Sequence, residues 1–239
     1  QVWVIKEDDE NRPAILGLVI VYVDDFLISC KTGEVRETFL TSLAKLWKLD
    51  KEEVLTTSKS LTFLGIELVL QENGDIKLTQ EKFLMSILEK YGMSEAKGAT
   101  SVQIDRFPDV ESKPDPRMLK ELQGHSGEFN WLSTRTRPDI SYYVSLLASA
   151  CTKHGKWSRD LAYKILRFLA GTRHQGILIT VDGDLSELIA WTDAGFAGAD
   201  TKSQSGLIVS WGGSIVTWRS SRQTVSALST AEAELQAAI

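Results

Sequence analysis

Cysteine is nearly missing from this sequence: 239 residues carry only Cys30 and Cys151, far apart and without paired spacing. That excludes a disulfide framework and a cysteine-rich zinc site, and it fits a reducing compartment. No apolar run stays free of charge for the ~20 residues that a membrane-spanning helix needs. The first residues lack the basic start and small-residue cleavage site of a secretory signal. Internal repeats and low-complexity tracts are absent as well. There is no overall excess of basic charge, since the formal net charge is -5. What remains is ordinary for a globular protein, with 43% apolar and 25% charged residues. The length suits one large or two small domains.

The charge is unevenly placed. Residues 113–173 hold 11 Lys and Arg against 5 Asp and Glu, and the rest of the chain is strongly acidic. His125, His154 and His174 lie in or beside this basic middle, without the spacing of a metal site. A basic segment can follow a phosphate backbone, or it can be no more than a solvated surface. Both ends read as interrupted elements. Val2, Trp3, Val4 and Ile5 already form a strand pattern, and Glu234 to Ile239 read as a helix still running. Domains usually end in polar, loosely held residues, so the expectation is a piece of a longer polypeptide.

Ile15 to Val21 is a continuous apolar run rich in Val and Ile, which predicts a buried strand. Phe26 to Cys30 reads as its partner, with Val23-Asp24 at the turn. Phe39, Leu40, Leu43, Leu46 and Trp47 have helical spacing, predicting a helix over 35–49. A strand follows over 61–70, then Asn73-Gly74 as a hairpin turn. Thr79 is placed to cap a helix carrying Phe83, Leu84, Ile87, Leu88 and Tyr91, closed by Gly92. Residues 94–120 hold three of the five prolines and read as a connector. Two helices are predicted next. One begins at Pro138, and the other is capped by Ser158 and carries Leu161, Ile165, Phe168 and Leu169 inward, with Arg159, Lys164 and Arg167 decorating it. In the last sixty residues, Leu188 to Trp191, Gly206 to Trp211 and Ser214 to Trp218 read as strands, the latter two joined by Gly212-Gly213. Ser229-Thr230-Ala231-Glu232 matches a capping box opening a helix.

Two pairs of carboxylates stand out. Asp24 and Asp25 are adjacent at a hairpin tip. Asp is a good turn residue, yet neighbouring like charges repel unless a divalent cation lies between them and other oxygens. Asp193 ends a strand, and Glu234 lies on the last helix beside a core-facing side formed by Leu235 and Ile239. Glu232 has a structural task in the capping box, whereas Glu234 has none. Asp200 reads as a turn residue.

Ile20-Val21-Tyr22-Val23-Asp24-Asp25-Phe26-Leu27-Ile28 resembles the catalytic hairpin of reverse transcriptases. Phe63-Leu64-Gly65-Ile66-Glu67, Leu78-Thr79-Gln80-Glu81-Lys82-Phe83 and Tyr91-Gly92-Met93 follow in the order of the copia-type branch of LTR retrotransposon Pol polyproteins. The stretches Trp131 to Tyr142 and Ala162 to Thr172 resemble that branch's connecting region. Thr192-Asp193-Ala194, Ser205-Gly206, Gly212-Gly213 and Ser229 to Leu235 resemble the opening half of its RNase H domain.

The resemblance implies an α+β protein in three parts. Residues 1–98 would be the end of a polymerase palm, 99–180 a helical connection, and 181–239 the front of an RNase H-like unit. It implies that Asp24 and Asp25 bind Mg2+ with a third aspartate from an upstream strand, with Tyr22 near the primer end. It implies that Asp193 and Glu234 bind the metals of an RNase H site, with two further acidic residues downstream. The partners implied are an RNA template, a DNA primer, the RNA–DNA hybrid and the remainder of the polyprotein. Membranes are not among them. The setting implied is intracellular, in the cytoplasm or in virus-like particles. Arg135, Arg137, Lys153, Lys156, Arg159 and Lys164 are candidates to grip the hybrid through its phosphates. For Arg137 a structural pairing with Asp139 or a carbonyl stands equally. Trp131 and Trp157 read as packing residues. A different class of reading is a non-catalytic nucleic-acid-binding or structural module derived from a retroelement.

Overall fold

A computed structural model describes residues 1–7, 14–108, 110–197 and 202–239. Asp200, expected in a turn, lies outside the described residues. The chain forms two compact units, 1–55 and 56–239. Antiparallel sheets and helices in separate runs make the class α+β.

The first unit is a three-stranded antiparallel sheet of β1 (Val2–Lys6), β2 (Ile15–Tyr22) and β3 (Asp25–Cys30), in that spatial order. Helix α1 (Gly33–Ala44) packs on β2 and β3. Thr32 caps it, its hydroxyl oxygen accepting from the Val35 N–H at 3.3 Å. The expectation that β2 is buried throughout holds for one face only. Gly17 and Val19 are buried, while Leu18, Ile20 and Tyr22 on the opposite face are exposed. Strand alternation with a helix on a single face gives this result. The helix also stops earlier than its apolar spacing predicts. The Leu46 and Trp47 N–H groups both turn back onto the Leu43 carbonyl, leaving Leu46 and Trp47 exposed beyond it.

The second unit opens with β4 (Leu61–Phe63), β5 (Ile66–Leu70) and β6 (Ile76–Thr79). The single strand expected over 61–70 is a hairpin instead. Leu64 and Gly65 both have positive φ, 52° and 74°, as a two-residue primed turn requires. Helix α2 (Glu81–Lys90) follows, and its N-cap is Gln80 without a side-chain bond; Thr79 stays in β6. Helix α3 (Pro116–Ser133) was not expected from the pattern. Asp115 caps it, accepting from the Met118 N–H at 2.8 Å, with Pro116 at its start. A 3-10 turn (Pro138–Ile140) leads into α4 (Ser141–Ala150), and α5 (Gly155–Gly171) follows. The N-cap of α5 is His154; Ser158, the expected cap, is fully buried one turn inside. Strand β7 (Ile177–Ile179) then returns to pair with β6.

The core lies among α2 to α5. Leu84, Leu88, Leu122, Phe129, Leu132, Leu147, Ile165 and Leu169 are essentially inaccessible, each contributing about 1.5–3 kcal/mol of transfer free energy. Two glycines allow the connector to cross the end of α5. A Cβ on Gly98 would collide with the Gly171 backbone, and the Ala99 N–H donates to the Arg167 carbonyl at 2.8 Å. Beyond this core β8 (Leu188–Gly195), β9 (Gln204–Trp211) and β10 (Ser214–Arg222) form an antiparallel meander. Gly212 and Gly213 make its tight turn, with φ of 55° and 78°. Helix α6 (Thr230–Ala238) packs on β8 and β9. Ser229 caps it as expected, but the Glu232 carboxylate reaches back to the Leu228 N–H at 2.7 Å.

Arg137 is buried at 2% exposure and fully engaged. Its guanidinium donates to both Asp139 carboxylate oxygens at 2.7–3.2 Å, and to the Thr172 carbonyl and hydroxyl at 3.1 and 2.7 Å. It thereby joins the 3-10 turn to the end of α5. His125 is wholly buried on α3, stacked on the Tyr91 ring at 4.0 Å and flanked by Phe129 and Tyr163. Neither ring nitrogen has a hydrogen-bond partner among the described residues. Burial lowers the His125 pKa below its usual value, and the Glu121 and Glu128 charges offset this only in part.

Two outcomes follow. The folded state holds His125 neutral, so the unfolded chain binds more protons below its ordinary pKa of about 6.5. Stability contributed by the neutral ring is full above that pH and is lost as pH falls from there toward the depressed folded value. Urea midpoints between pH 7.5 and 5 should therefore fall, and His125→Phe should flatten that trend. An unchanged slope in the variant removes His125 as the cause. Arg137→Ala should cost about 2–3 kcal/mol in urea unfolding, because several charge-assisted bonds are lost at once.

Candidate functional site

Asp24 and Asp25 sit where the first sheet turns. Tyr22 pairs with Asp25, so Val23 and Asp24 are the two central residues of the hairpin. Val23 has φ of 54°, a left-handed conformation that a β-branched residue rarely adopts. Asp24 does not share the positive φ, so the turn has the strained position only at its first central residue. The sequence offers no sign of this strain, since Gly or Asn would be the ordinary choice. Both aspartates are exposed, and neither carboxylate has a hydrogen bond or ion pair among the described residues. Two uncommitted hard-oxygen donors suit Mg2+, which takes one or two carboxylates and fills its other positions with water and phosphate oxygens. No group of three or more His, Cys, Asp or Glu side chains placed to hold a metal occurs among the described residues. Tyr22 is exposed beside the pair.

Asp193 lies within β8, exposed, directly across from Gly206 on β9. By strand alternation it shares a face with Trp191 and Gly195. That face continues through Gln204 and Ser220, and the Gln204 amide donates to Ser145 on α4 at 3.1 Å. Helix α6 is tied to the other face. Gln223 donates to the Ala233 carbonyl at 2.8 Å and to Ser205 at 2.9 Å. The buried side of α6 is Ala233, with Gln236 and Ala237 half-buried; Leu235 and Ile239, expected to face inward, are exposed. Small residues allow the helix to lie close to the sheet, which the larger apolar pair would not. Glu234 is exposed on the flank of that buried side. No hydrogen bond or ion pair joins Asp193 and Glu234.

The candidate phosphate contacts separate into different situations. Arg137 is spent inside the fold. Arg135 lies over the Trp131 ring at 4.8 Å, which accounts for that tryptophan as a packing partner. Lys153 pairs with Glu111 at 3.3 Å. Arg159 pairs with Glu121 at 3.5 Å, and Lys164 with Asp105 at 2.6 Å. Lys156, Arg159 and Lys164 come together in a cleft of about 610 Å³, with Asp105, Met118, Asp160, Tyr163 and Arg167. Tyr163 and Arg167 were not singled out as binding residues. Their signal was present, because 156, 160, 163 and 167 are spaced to share one helix face.

No helix among the described residues is long and apolar enough to cross a membrane. Residues 3–105 match the family model described as reverse transcriptase (RNA-dependent DNA polymerase). The chain is similar to the retrovirus-related Pol polyprotein from transposon RE1 of Arabidopsis thaliana, at 30% identity over 94% of the chain and 15% of that relative. It is also similar to the retrovirus-related Pol polyprotein from transposon TNT 1-94 of Nicotiana tabacum, at 29% identity over 98% of the chain and 18% of that relative. An uncharacterized mitochondrial protein of Arabidopsis thaliana is 25% identical over 92% of the chain and 89% of its own length. The chain thus spans less than a fifth of the first two relatives. No solved structure matches it. The aspartate hairpin lies inside the stretch, residues 3–105, that matches the reverse transcriptase family model, and the chain over most of its length is similar to copia-type retrotransposon Pol polyproteins.

Proposed function

We propose that the chain is a working part of an RNA-directed DNA polymerase with an associated ribonuclease H. Its three segments would be the end of the palm (1–98), the connection (99–180) and the front of the nuclease unit (181–239). The observation that carries this reading is the uncommitted Asp24-Asp25 pair at the tip of a two-residue hairpin within the family match. Mg2+ held there would polarise a phosphoryl oxygen and ease deprotonation of a primer hydroxyl. Asp24 and Asp25 supply hard-oxygen ligands from a rigid tip, and Tyr22 offers an exposed aromatic surface next to them for the primer end. The third ligand belongs to another strand, and β3 has an edge that pairs with no strand among the described residues. Asp193 and Glu234 are the corresponding carboxylates of the nuclease unit; because Asp193 lies on the sheet face opposite α6, bringing both to one metal falls to the rest of that unit. A three-stranded meander followed by a capped helix is the element order that supports this assignment. Arg135, Lys153, Lys156, Arg159 and Lys164 position the RNA–DNA hybrid through its phosphates without reading sequence. The remainder of the polyprotein completes both sites. The compartment we propose is the cytoplasm, with virus-like particles as the assembled setting.

The chain alone should neither extend a primer nor cut a hybrid in magnesium, because neither carboxylate pair has further acidic ligands beside it among the described residues. Fused behind the polymerase segment of a related Pol polyprotein, it should support templated extension. In that fusion Asp24→Asn and Asp25→Asn should each lower extension by more than about 100-fold, since even outer-shell partners of metal ligands are worth about 10–100-fold. Extension that survives both substitutions would sink the assignment. Val23→Gly should relieve the strained turn and raise stability by about 1 kcal/mol. The same change should slacken the carboxylates, so that extension by the fusion falls while the urea midpoint rises.

A further inference from the structure

The cleft along α5 has features that phosphate contact alone does not explain. Lys156, Asp160, Tyr163 and Arg167 run down one face of the helix, with Arg159 and Lys164 on either side. Both flanking cations are held by acidic side chains of the chain itself, Arg159 by Glu121 of α3 and Lys164 by Asp105. The cations on the centre line, Lys156 and Arg167, are exposed and have no ion-pair partner among the described residues. They are 11 residues apart, hence about 16 Å along the axis. A nucleic-acid strand carries one phosphate per nucleotide, so a row of this length can meet more than one phosphate of a strand. Tyr163 and Met118 give the cleft an apolar wall against which sugars can lie.

Asp105 lies in the irregular connector before α3. Its carboxylate is about two-thirds exposed, yet it is 2.6 Å from the Lys164 ammonium. That is the geometry a phosphate oxygen would adopt on the same ammonium. The connector does not depend on this ion pair for its place. The Trp157 indole N–H donates to the Asp105 carbonyl at 3.3 Å, and the Phe107 ring meets His154 and Trp157 edge-on at 4.6 and 4.9 Å. The Asp105 side chain can therefore swing away while its backbone stays anchored.

We propose that the α5 cleft seats the backbone of one nucleic-acid strand, and that Asp105 closes it when empty by standing in for a phosphate on Lys164. This rests on the nucleic-acid reading above and names its seat and its internal competitor. Lys164 is then a concealed contact: strand entry exchanges a carboxylate for a phosphate on one ammonium. Asp160, a second carboxylate of the same wall with no ion pair among the described residues, provides a control, because removing its charge leaves the Asp105–Lys164 pair intact.

The test is fluorescence anisotropy of a labelled 16-base-pair RNA–DNA hybrid with the full chain, titrated from 20 to 200 mM salt. Arg167→Gln and Lys156→Gln should each weaken binding and reduce the salt slope by about one. Asp105→Asn should tighten binding by about 5-fold at low salt, on the order of one charged contact. Lys164→Gln should change little in the natural chain, yet abolish the gain in the Asp105→Asn background, while leaving the smaller gain from Asp160→Asn untouched. That non-additivity is the signature of the exchange. If both aspartate variants tighten equally and Lys164→Gln acts alike in every background, the cleft responds only to bulk charge and the Asp105 role is overturned. If the hybrid binds and neither Lys156→Gln nor Arg167→Gln matters, the strand lies elsewhere and the cleft proposal fails while the nucleic-acid reading stands. Absence of binding at 20 mM salt removes both.

Discussion

The guanidinium of Arg137 is the junction on which the larger unit depends. It ties the turn that launches α4 to the residue that closes α5, through Asp139 and Thr172. A buried charge is costly, and it is tolerated when its donors are satisfied as these are. With that junction set, the directions of α4 and α5 follow. Helix α4 then receives the β9–β10 sheet through Ser145 and Gln204, while Ser133 at the end of α3 accepts from Trp218 at 2.6 Å. The faces of α4 and α5 left exposed are a result of the same placement. A residue that looks like a phosphate ligand in the sequence instead helps decide which other cations can be.

Electrostatics in this unit are largely internal. Lys82 meets Glu67, Lys90 meets Glu128, and Lys153 meets Glu111. A pair exposed on both sides, such as Lys153 with Glu111, is individually weak and screened by salt. In the basic middle segment the paired cations are Arg137, Lys153, Arg159 and Lys164, held by Asp139, Glu111, Glu121 and Asp105. Against that background, an unpaired cation on a helix face is informative, and a paired one is informative only if its partner can leave. The uneven charge along the chain therefore says less about binding than the pairing of particular side chains does.

Much of the architecture was legible in the residues. The Gly212-Gly213 turn and the Ser229 cap follow from local chemistry that neighbouring structure does not override, whereas the Val23-Asp24 turn was legible only from the strand patterns on either side of it. Helix α3 was hidden because Gly124, His125, Ser126 and Gly127 interrupt its pattern. Yet Asp115-Pro116 opens it, and Leu122, Phe129 and Leu132 pack inward as its spacing demands. The hairpin at Leu64-Gly65 was lost because leucine rarely takes positive φ, so an apolar run concealed a turn. Of the candidate sites, the carboxylates could be named from sequence, whereas their surroundings could not. The sheet face of Asp193 and the engagement of Arg137 depend on register and packing across distant segments.

The sheet of the first unit has one further consequence, for handling the protein. Val2, Val4, Leu18 and Ile20 are exposed on one face of it, and among the described residues no strand pairs with the outer side of β3. An exposed apolar surface beside an open ladder is the combination that promotes edge-to-edge association between copies. Soluble yield and light scattering at high concentration would then be governed by these few residues, far more than by the robustly packed helices that dominate the rest of the chain.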